Sequence, residues 1–374
     1  MLEGYDLAFM RRAHALALKA KGRTGPNPMV GAVLVKEGRI IGEGYHASAG
    51  ADHAEVVALK AASSEAQGTT LYLNLEPCCH YGRTPPCTEA IIRAGIKKVV
   101  ASTFDPNPLV AGKGVERLKA AGIEVEIGLF AEEAKRLNEA FFTFIAKGRP
   151  FVILKVAASL DGKIATNAGE SRWITGEAAR KKVHELRDEV DAVLVGIGTV
   201  LKDDPLLNVR LNREGTRDPL KVIVDSYARL PLEANVLKNP KKALVAVSSK
   251  APKEQVEALR RRGADVLLVE GTSHKVSLGR LMEELGKRGI VSVMIEGGSE
   301  INASAFQEGI VDKLILFYAP LLIGGKEAPS IVGGSGIEYL PQAIRLKDVR
   351  IERLGDDLLI EAYIQEPETL NVER

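Results

Sequence analysis

The chain has 374 residues, 45% apolar and 27% charged, with a formal net charge of +2 and aromatic residues at only 5%. That length implies two or three globular domains with sizeable cores, and the near-neutral charge and few rings argue against a nucleic-acid groove, which needs clustered basic residues interleaved with stacking side chains. With charged residues Glu3, Asp6, Arg11 and Arg12 near the start no signal peptide is expected, and the apolar run at 314–323 is too short to span a bilayer and is interrupted by Pro320. A soluble, cytoplasmic protein with neither membrane nor nucleic-acid partners is expected.

Residues 5–20 read as an amphipathic helix, stopped by Gly22 and the turn Gly25-Pro26-Asn27-Pro28. The apolar runs 30–35 and 40–45 flank Glu37-Gly38, a hairpin signal. His53 and Glu55 open a helix continuing through Val56, Val57, Leu59 and Ala61; a strand over 70–75 delivers Pro77 and Cys78, and Cys87 opens a further helix through Ile91 and Ile92. A strand over 98–102, a helix over 114–120, a strand over 124–127 and a helix over 132–145 continue the alternation, which implies a sheet covered on both faces with a site at its strand ends.

Lys147-Gly148-Arg149-Pro150 is polar and holds Gly and Pro, so it marks a boundary between domains over 1–147 and 150–366. Beyond it, strands are expected over 151–157, 192–195, 221–224, 243–247, 266–269, 291–295, 313–318 and 358–364, and helices over 177–188, 252–262, 278–287 and 299–307. The tail after Glu366 is expected to fray.

The three cysteines, Cys78, Cys79 and Cys87, crowd into one segment, and an odd, clustered count favours metal or catalysis over disulfides. His53 with two of them supplies the soft donors of a tetrahedral zinc site and leaves one position for water, with Glu55 at hand to move protons. A closed structural site would instead recruit Cys79 or His80 as a fourth ligand. Cys87 at a helix start is placed where the dipole favours a thiolate.

His53-Ala54-Glu55 followed by Pro77-Cys78 resembles the zinc deaminases, whose Glu lies outside the coordination sphere. The second cysteine comes late, at Cys87, through Gly82-Arg83-Thr84-Pro85-Pro86, and this insertion resembles the riboflavin-biosynthesis pyrimidine deaminases. The resemblance implies one zinc ion per chain held by His53, Cys78 and Cys87, with Glu55 taking a proton from the attacking water and returning it to departing ammonia.

In the second half, Val195-Gly196-Ile197-Gly198-Thr199 lacks the third glycine of a dinucleotide fingerprint and reads equally well as a plain turn. Glu296-Gly297-Gly298-Ser299 joins an apolar strand to a helix, where backbone N–H groups bind phosphate. The single tryptophan, Trp173, lies in a polar loop and suits either stacking on a flat ring or capping the core. Together with Ser159-Leu160-Asp161-Gly162-Lys163 and Asp203-Asp204-Pro205, these segments resemble the reductase half of the bifunctional riboflavin-biosynthesis enzymes, so the likeness covers nearly the whole chain.

That resemblance implies a cytidine-deaminase-like α/β/α domain followed by a dihydrofolate-reductase-like α/β domain. It further implies deamination of a diaminopyrimidine ribosylamino 5'-phosphate, then NADPH-dependent reduction of the ribosyl group to a ribityl chain, by a homo-oligomer of two or more chains. Carried over by position, it places substrate contacts at Asn27, His46, His80, Arg83, Asp105 and Asn107, and, in the second half, at Lys155, Ser171, Arg187, Leu207, Arg210 and Glu296. His46, His80 and Arg83 form a basic trio suited to a phosphate, and Lys155 is a candidate for polarising the reacting sugar. Ala157, Trp173, Thr175, Thr199, Asp203, Ser226, Gly297 and Gly298 would line the NADPH site. The competing readings are a zinc deaminase of another base whose second half only binds a ligand, and a zinc-stabilised scaffold without activity.

Overall fold

The computed structural model describes residues 4–82 and 84–365, so Arg83 and the tail after Glu366 lie outside the described residues. The chain divides between Arg149 and Pro150 into two compact units, each with its own sheet.

The first unit runs α1 (Gly4–Leu18), β1 (Gly31–Lys36), β2 (Arg39–Tyr45), α2 (Ala54–Ala62), β3 (Thr70–Leu73), α3 (Cys87–Arg93), β4 (Lys98–Ala101), α4 (Lys113–Ala120), β5 (Glu124–Ile127), α5 (Ala131–Leu137) and α6 (Glu139–Lys147). Its sheet has the order β2-β1-β3-β4-β5, antiparallel about β1 and parallel from β3 onward. Glu37 and Gly38 both take positive φ, the geometry of a tight hairpin turn, and set Lys36 opposite Arg39. Successive side chains of a strand face opposite ways: Ala32, Leu34, Leu71, Leu73, Val99 and Ala101 pack with Ala54, Ala58, Ile91 and Leu118 of α2, α3 and α4. The intervening Val33, Val35, Tyr72 and Val100 pack with Met10, Ala13 and Leu16 of α1. Three layers result.

The single helix expected over 132–145 is broken at Asn138, whose φ of −109° separates α5 from α6. The cause is tertiary. Asn138 is buried, and its amide accepts from the backbone N–H of Met29 at 2.8 Å and donates to the Met29 carbonyl at 3.0 Å.

The second unit runs β6 (Phe151–Ser159), α7 (Glu177–Glu189), β7 (Ala192–Gly196), α8 (Ile197–Asp203), β8 (Leu220–Val224), β9 (Ala243–Val247), α9 (Lys253–Arg261), β10 (Asp265–Leu268), α10 (Leu278–Lys287), β11 (Ser292–Ile295), α11 (Ser299–Gln307), β12 (Lys313–Ala319), β13 (Leu346–Leu354) and β14 (Asp357–Ile364). Its sheet has the order β10-β9-β8-β7-β11-β6-β12-β14-β13, parallel up to β12 and antiparallel at β14 and β13. Both faces of β7, β8, β9 and β11 are buried, which is why these strands read as unbroken apolar runs. Two elements were not expected from the sequence. Helix α8 is one short, glycine-containing segment, and β13 is exposed along nearly its whole length, so it carries no burial pattern.

Candidate functional site

In the first unit, α2 begins at Ala54 with His53 as its N-cap, α3 begins at Cys87, and Cys78 follows the C-terminal end of β3. The three donor atoms of His53, Cys78 and Cys87 lie within 4.8 Å of one another. His53 Nδ1 is 3.2 Å from Cys87 Sγ and 3.6 Å from Cys78 Sγ. Tetrahedral zinc with ordinary bond lengths needs nitrogen and sulfur roughly 3.6 Å apart, so the donor set fits that ion. At 3.2 Å from Thr84 Oγ1, His53 Nε2 can carry the ring proton and donate it there, which leaves Nδ1 for the metal. The Cys78 thiol is pulled down to about 4 by its hydrogen bonds from Cys87 and contact with His53, against the effect of burial, so it is ready as a thiolate ligand.

Glu55 is the second residue of α2 and is buried. Burial, and then the negative charge of Cys78, push its carboxyl up to about 7, with His53 and Cys87 opposing the rise. A carboxyl poised there can both take and give a proton near neutrality. Cys79 turns away, its thiol 3.6 Å from the Leu109 carbonyl, so among the described residues the donor cluster has three members and no fourth protein ligand.

Around this cluster stand several of the residues expected to hold substrate. His46 packs edge-on to His53 with ring centroids 5.2 Å apart. Its Nδ1 donates to the Asp52 carbonyl at 3.1 Å, and its Nε2 accepts from the Asn27 side-chain amide at 3.0 Å. Burial lowers its pKa, so His46 is a neutral, internally bonded ring, and the basic trio expected from the sequence contains no His46 cation. His80 is half-buried, and its Nδ1 has no hydrogen-bond partner among the described residues. Asp105 is buried and accepts from the backbone N–H of Asn107 at 2.8 Å. The loop carrying both is tied to the metal-site strand by Glu76, a residue the sequence reading passed over. Its buried carboxylate accepts from the backbone N–H groups of Asp105, Gly112 and Val115. An acidic residue standing directly before Pro77-Cys78 was the available signal.

In the second unit a cleft of about 1270 Å³ opens beyond the C-terminal ends of β6, β7 and β11, the place where parallel sheets bind ligands. Lys155, Ala157, Ser171, Trp173, Thr175, Arg187, Thr199, Asp203, Arg210, Glu296, Gly297 and Gly298 all line it. Leu207 and Ser226 do not: Leu207 is buried at a positive φ, and Ser226 accepts from the Val276 N–H through its hydroxyl and from Ser248 through its carbonyl. At the floor, Arg187 donates to both carboxylate oxygens of Glu296, at 2.6 and 3.0 Å, and Lys155 Nζ sits 2.8 Å from the same group. Burial alone would raise the Glu296 pKa, but the two cations outweigh it and hold the carboxyl far below its usual range. Trp173 is 67% exposed at the rim with the Arg180 guanidinium 4.9 Å from its ring centroid, so it does not cap the core.

The two glycine segments serve packing as well as the cleft. A Cβ on Gly196 or Gly297 would lie 2.6 or 2.7 Å from Ile301 side-chain atoms, so both glycines let α11 approach the sheet. His184, Arg180 and Lys181 also line the cleft and were not anticipated; the steps of three or four residues from Arg180 and Lys181 to His184 and on to Arg187 along α7 were the usable signal.

The cytidine and deoxycytidylate deaminase zinc-binding region matches residues 4–103, and the RibD C-terminal domain matches residues 150–360, more than half of the chain. The riboflavin biosynthesis protein RibD of Aquifex aeolicus is 48% identical over 360 residues, covering 96% of this chain and 99% of its own. The chain belongs to the RibD family. Acinetobacter baumannii RibD has the same fold with a TM-score of 0.88 at 43% identity, over 97% of this chain and 99% of its own. A Thermotoga maritima structure described as a diaminohydroxyphosphoribosylaminopyrimidine deaminase/5-amino-6-(5-phosphoribosylamino)uracil reductase matches with a TM-score of 0.84 at 39% identity, over 96% and 99%. This RibD chain therefore combines a cytidine-deaminase-like α/β/α unit with a dihydrofolate-reductase-like one.

Proposed function

We infer that the chain carries out two consecutive reactions of riboflavin biosynthesis, a zinc-dependent deamination of a diaminopyrimidine ribosylamino 5'-phosphate and an NADPH-dependent reduction of the ribosyl group to a ribityl chain. The observation that carries the first is the convergence of His53, Cys78 and Cys87 beside the buried Glu55. Bound zinc supplies a Lewis acid that lowers the pKa of water. Glu55 accepts the proton of the attacking water on its carboxylate and passes it to the leaving amine. We assign Asp105 and Asn107, on the loop held by Glu76, to the pyrimidine, and His80 with Arg83 to the phosphate. We assign deamination to residues 1–147 and reduction to residues 150–366.

The second unit's cleft exceeds the roughly 300–1,000 Å³ of a one-ligand pocket and suits a cofactor beside a substrate. NADPH, when bound, supplies a hydride; the chain's part is to hold the sugar against it. We assign Trp173, Thr175, Thr199, Asp203 and the Gly297-Gly298 turn to the cofactor, and Lys155 with Arg187, Arg210 and Glu296 to the sugar phosphate; all of them line the cleft. A second unit that merely binds a ligand is not favoured, because the RibD C-terminal domain covers it from residue 150 to 360.

A homo-oligomer is also proposed. Edge strand β13 and the segment before it expose Leu340, Val349 and Ile351 at 79%, 55% and 68%, an apolar edge that a second chain would cover. Light scattering tests this, and a monomer at micromolar concentration refutes it. The three free cysteines suit a reducing compartment, and we place the enzyme in the cytoplasm. No helix among the described residues is long and apolar enough to cross a membrane.

The deciding experiment incubates the zinc-loaded protein with the diaminopyrimidine ribosylamino phosphate and NADPH, following ammonia and cofactor absorbance together. Equal yields support both steps. Ammonia without NADPH oxidation refutes the second assignment, and neither signal refutes the substrate. Glu55→Gln should abolish ammonia release while zinc stays bound and NADPH oxidation of already deaminated substrate continues.

A further inference from the structure

We infer that Asp188, a buried residue outside the cleft, is a positioning residue of the second reaction: it fastens the loop over 209–218 to α7 and so sets Arg210 against the sugar phosphate. The inference rests on the reductase reading of the second unit. Between α8 and β8 the chain is irregular and turns back on itself, and the Asp218 carboxylate closes the loop at its base by accepting from the backbone N–H of Val209 at 2.8 Å. Arg210, Leu211, Asn212 and Arg213 on the first limb of the loop line the cleft. Arg210 donates through Nη1 to the side-chain oxygen of Asn208 at 2.9 Å, so its placement follows that of the loop. A loop without ladder hydrogen bonds holds a side chain only as firmly as it is itself held.

The anchor is α7. Arg187 donates through Nη1 to the Asn208 carbonyl at 3.2 Å, and the backbone N–H of Arg210 donates to His184 Nδ1 at 3.3 Å, both at the long end for hydrogen bonds. Asp188 makes the shorter contacts. Its Oδ1 accepts from the backbone N–H of Arg217 at 2.8 Å and its Oδ2 from Arg213 Nη2 at 2.5 Å, so one carboxylate grips both limbs of the loop. Asp188 is 1% exposed. A carboxylate buried to that degree is costly unless it is paired and hydrogen-bonded, and these bonds run to the segment that carries Arg210. Neighbours on the helix therefore serve different ends: Arg187 meets Glu296 at the floor of the cleft, and Asp188 secures the wall.

The test uses the full-length zinc-loaded enzyme, NADPH and substrate that has been deaminated beforehand. Asp188→Asn is isosteric but leaves one acceptor oxygen; it should raise the KM for this substrate about tenfold, the worth of one charge-assisted hydrogen bond, with kcat kept within about twofold and NADPH affinity unchanged. In an Arg210→Gln background the same substitution should add little, because the two residues act through one contact. Hydrogen exchange on peptides spanning 206–218 should quicken at Arg217, while β7 stays protected. An unchanged KM in Asp188→Asn overturns the inference, as does no effect of Arg210→Gln alone or a second full increase when the two are combined. A fall in kcat with KM kept, or lost protection across β7, also overturns it, since either makes the carboxylate a support of the whole unit. If the unmodified enzyme oxidises no NADPH, the reductase reading has failed; the exchange comparison then still decides whether Asp188 holds the loop, and unchanged protection at Arg217 refutes that.

Discussion

Glu76→Gln isolates the contact that joins the metal-site strand to the loop bearing Asp105 and Asn107. The Glu76 carboxylate is 3% exposed; its Oε2 accepts from the backbone N–H of Asp105 at 3.2 Å and of Gly112 at 3.0 Å, and its Oε1 from that of Val115 at 3.1 Å. The packing is close: a Cβ on Gly114 would lie 2.2 Å from the Pro77 carbonyl. An amide can keep only one acceptor oxygen. Turned to satisfy Asp105 and Gly112, it opposes its own NH₂ to the Val115 N–H. One charge-assisted bond worth about 1.5–3 kcal/mol is then lost, and the two that remain weaken toward neutral ones. We expect a local destabilisation on the order of 3 kcal/mol, which would speed amide exchange at Val115 by about two orders of magnitude. Hydrogen exchange read by mass spectrometry on peptides spanning 103–115 measures this. Zinc content should not change, because none of the three donors is touched, and Trp173 fluorescence, which lies in the other unit, provides a control on folding. Unchanged protection at Asp105, Gly112 and Val115 would refute the argument that this carboxylate holds the loop.

Three further substitutions probe separate parts of the chain. Cys87→Ser should lower zinc occupancy and stop ammonia release, while NADPH oxidation of deaminated substrate continues; simultaneous loss of both activities with retained folding would mean that the units depend on one another. Asp105→Asn should stabilise the first unit in a pH-dependent way. Burial, together with the charges of Glu76 and Cys78, raises the Asp105 pKa to about 6, so the native carboxyl holds its proton where the unfolded one has lost it. The native state is therefore penalised progressively as pH rises from about 4 to about 6, and above that the variant should gain about 2–3 kcal/mol relative to the parent. Denaturant midpoints at about pH 4 and about pH 8 test the sign, and a gain confined to the acid side would reverse it. Glu296→Gln strands Lys155 and Arg187 without their counter-charge and should cost the second unit about 3–5 kcal/mol. Denaturant unfolding followed by Trp173 fluorescence reads it, and a loss below about 1 kcal/mol would refute the argument that this carboxylate is what offsets the two cations.

What could be read from the sequence was whatever is decided within a few residues. The apolar runs at 30–35 and 40–45 with Glu37-Gly38 between them gave the first hairpin, and those at 192–195, 243–247 and 291–295 gave β7, β9 and β11. The metal donors were legible for a chemical reason, since few residue types bind zinc and all three cysteines sit in one segment. What stayed hidden was decided by partners remote in sequence. The break at Asn138 is caused by Met29, and the role of Glu76 by amides at 105, 112 and 115. His184 meets the Arg210 N–H, on the far side of a strand and a short helix. Gly297 read as part of a phosphate-binding turn and Gly196 as either that or a plain turn, yet each also clears space for Ile301, and no local pattern distinguishes a glycine needed by a ligand from one needed by a helix. The division bears on how the sites work. The groups that perform chemistry are recognisable by type, whereas Glu76 and Thr84, which hold them in register, are ordinary residues made specific by what the fold brings to them. Substitutions at this second group are therefore where sequence-based expectation and measured activity should diverge most.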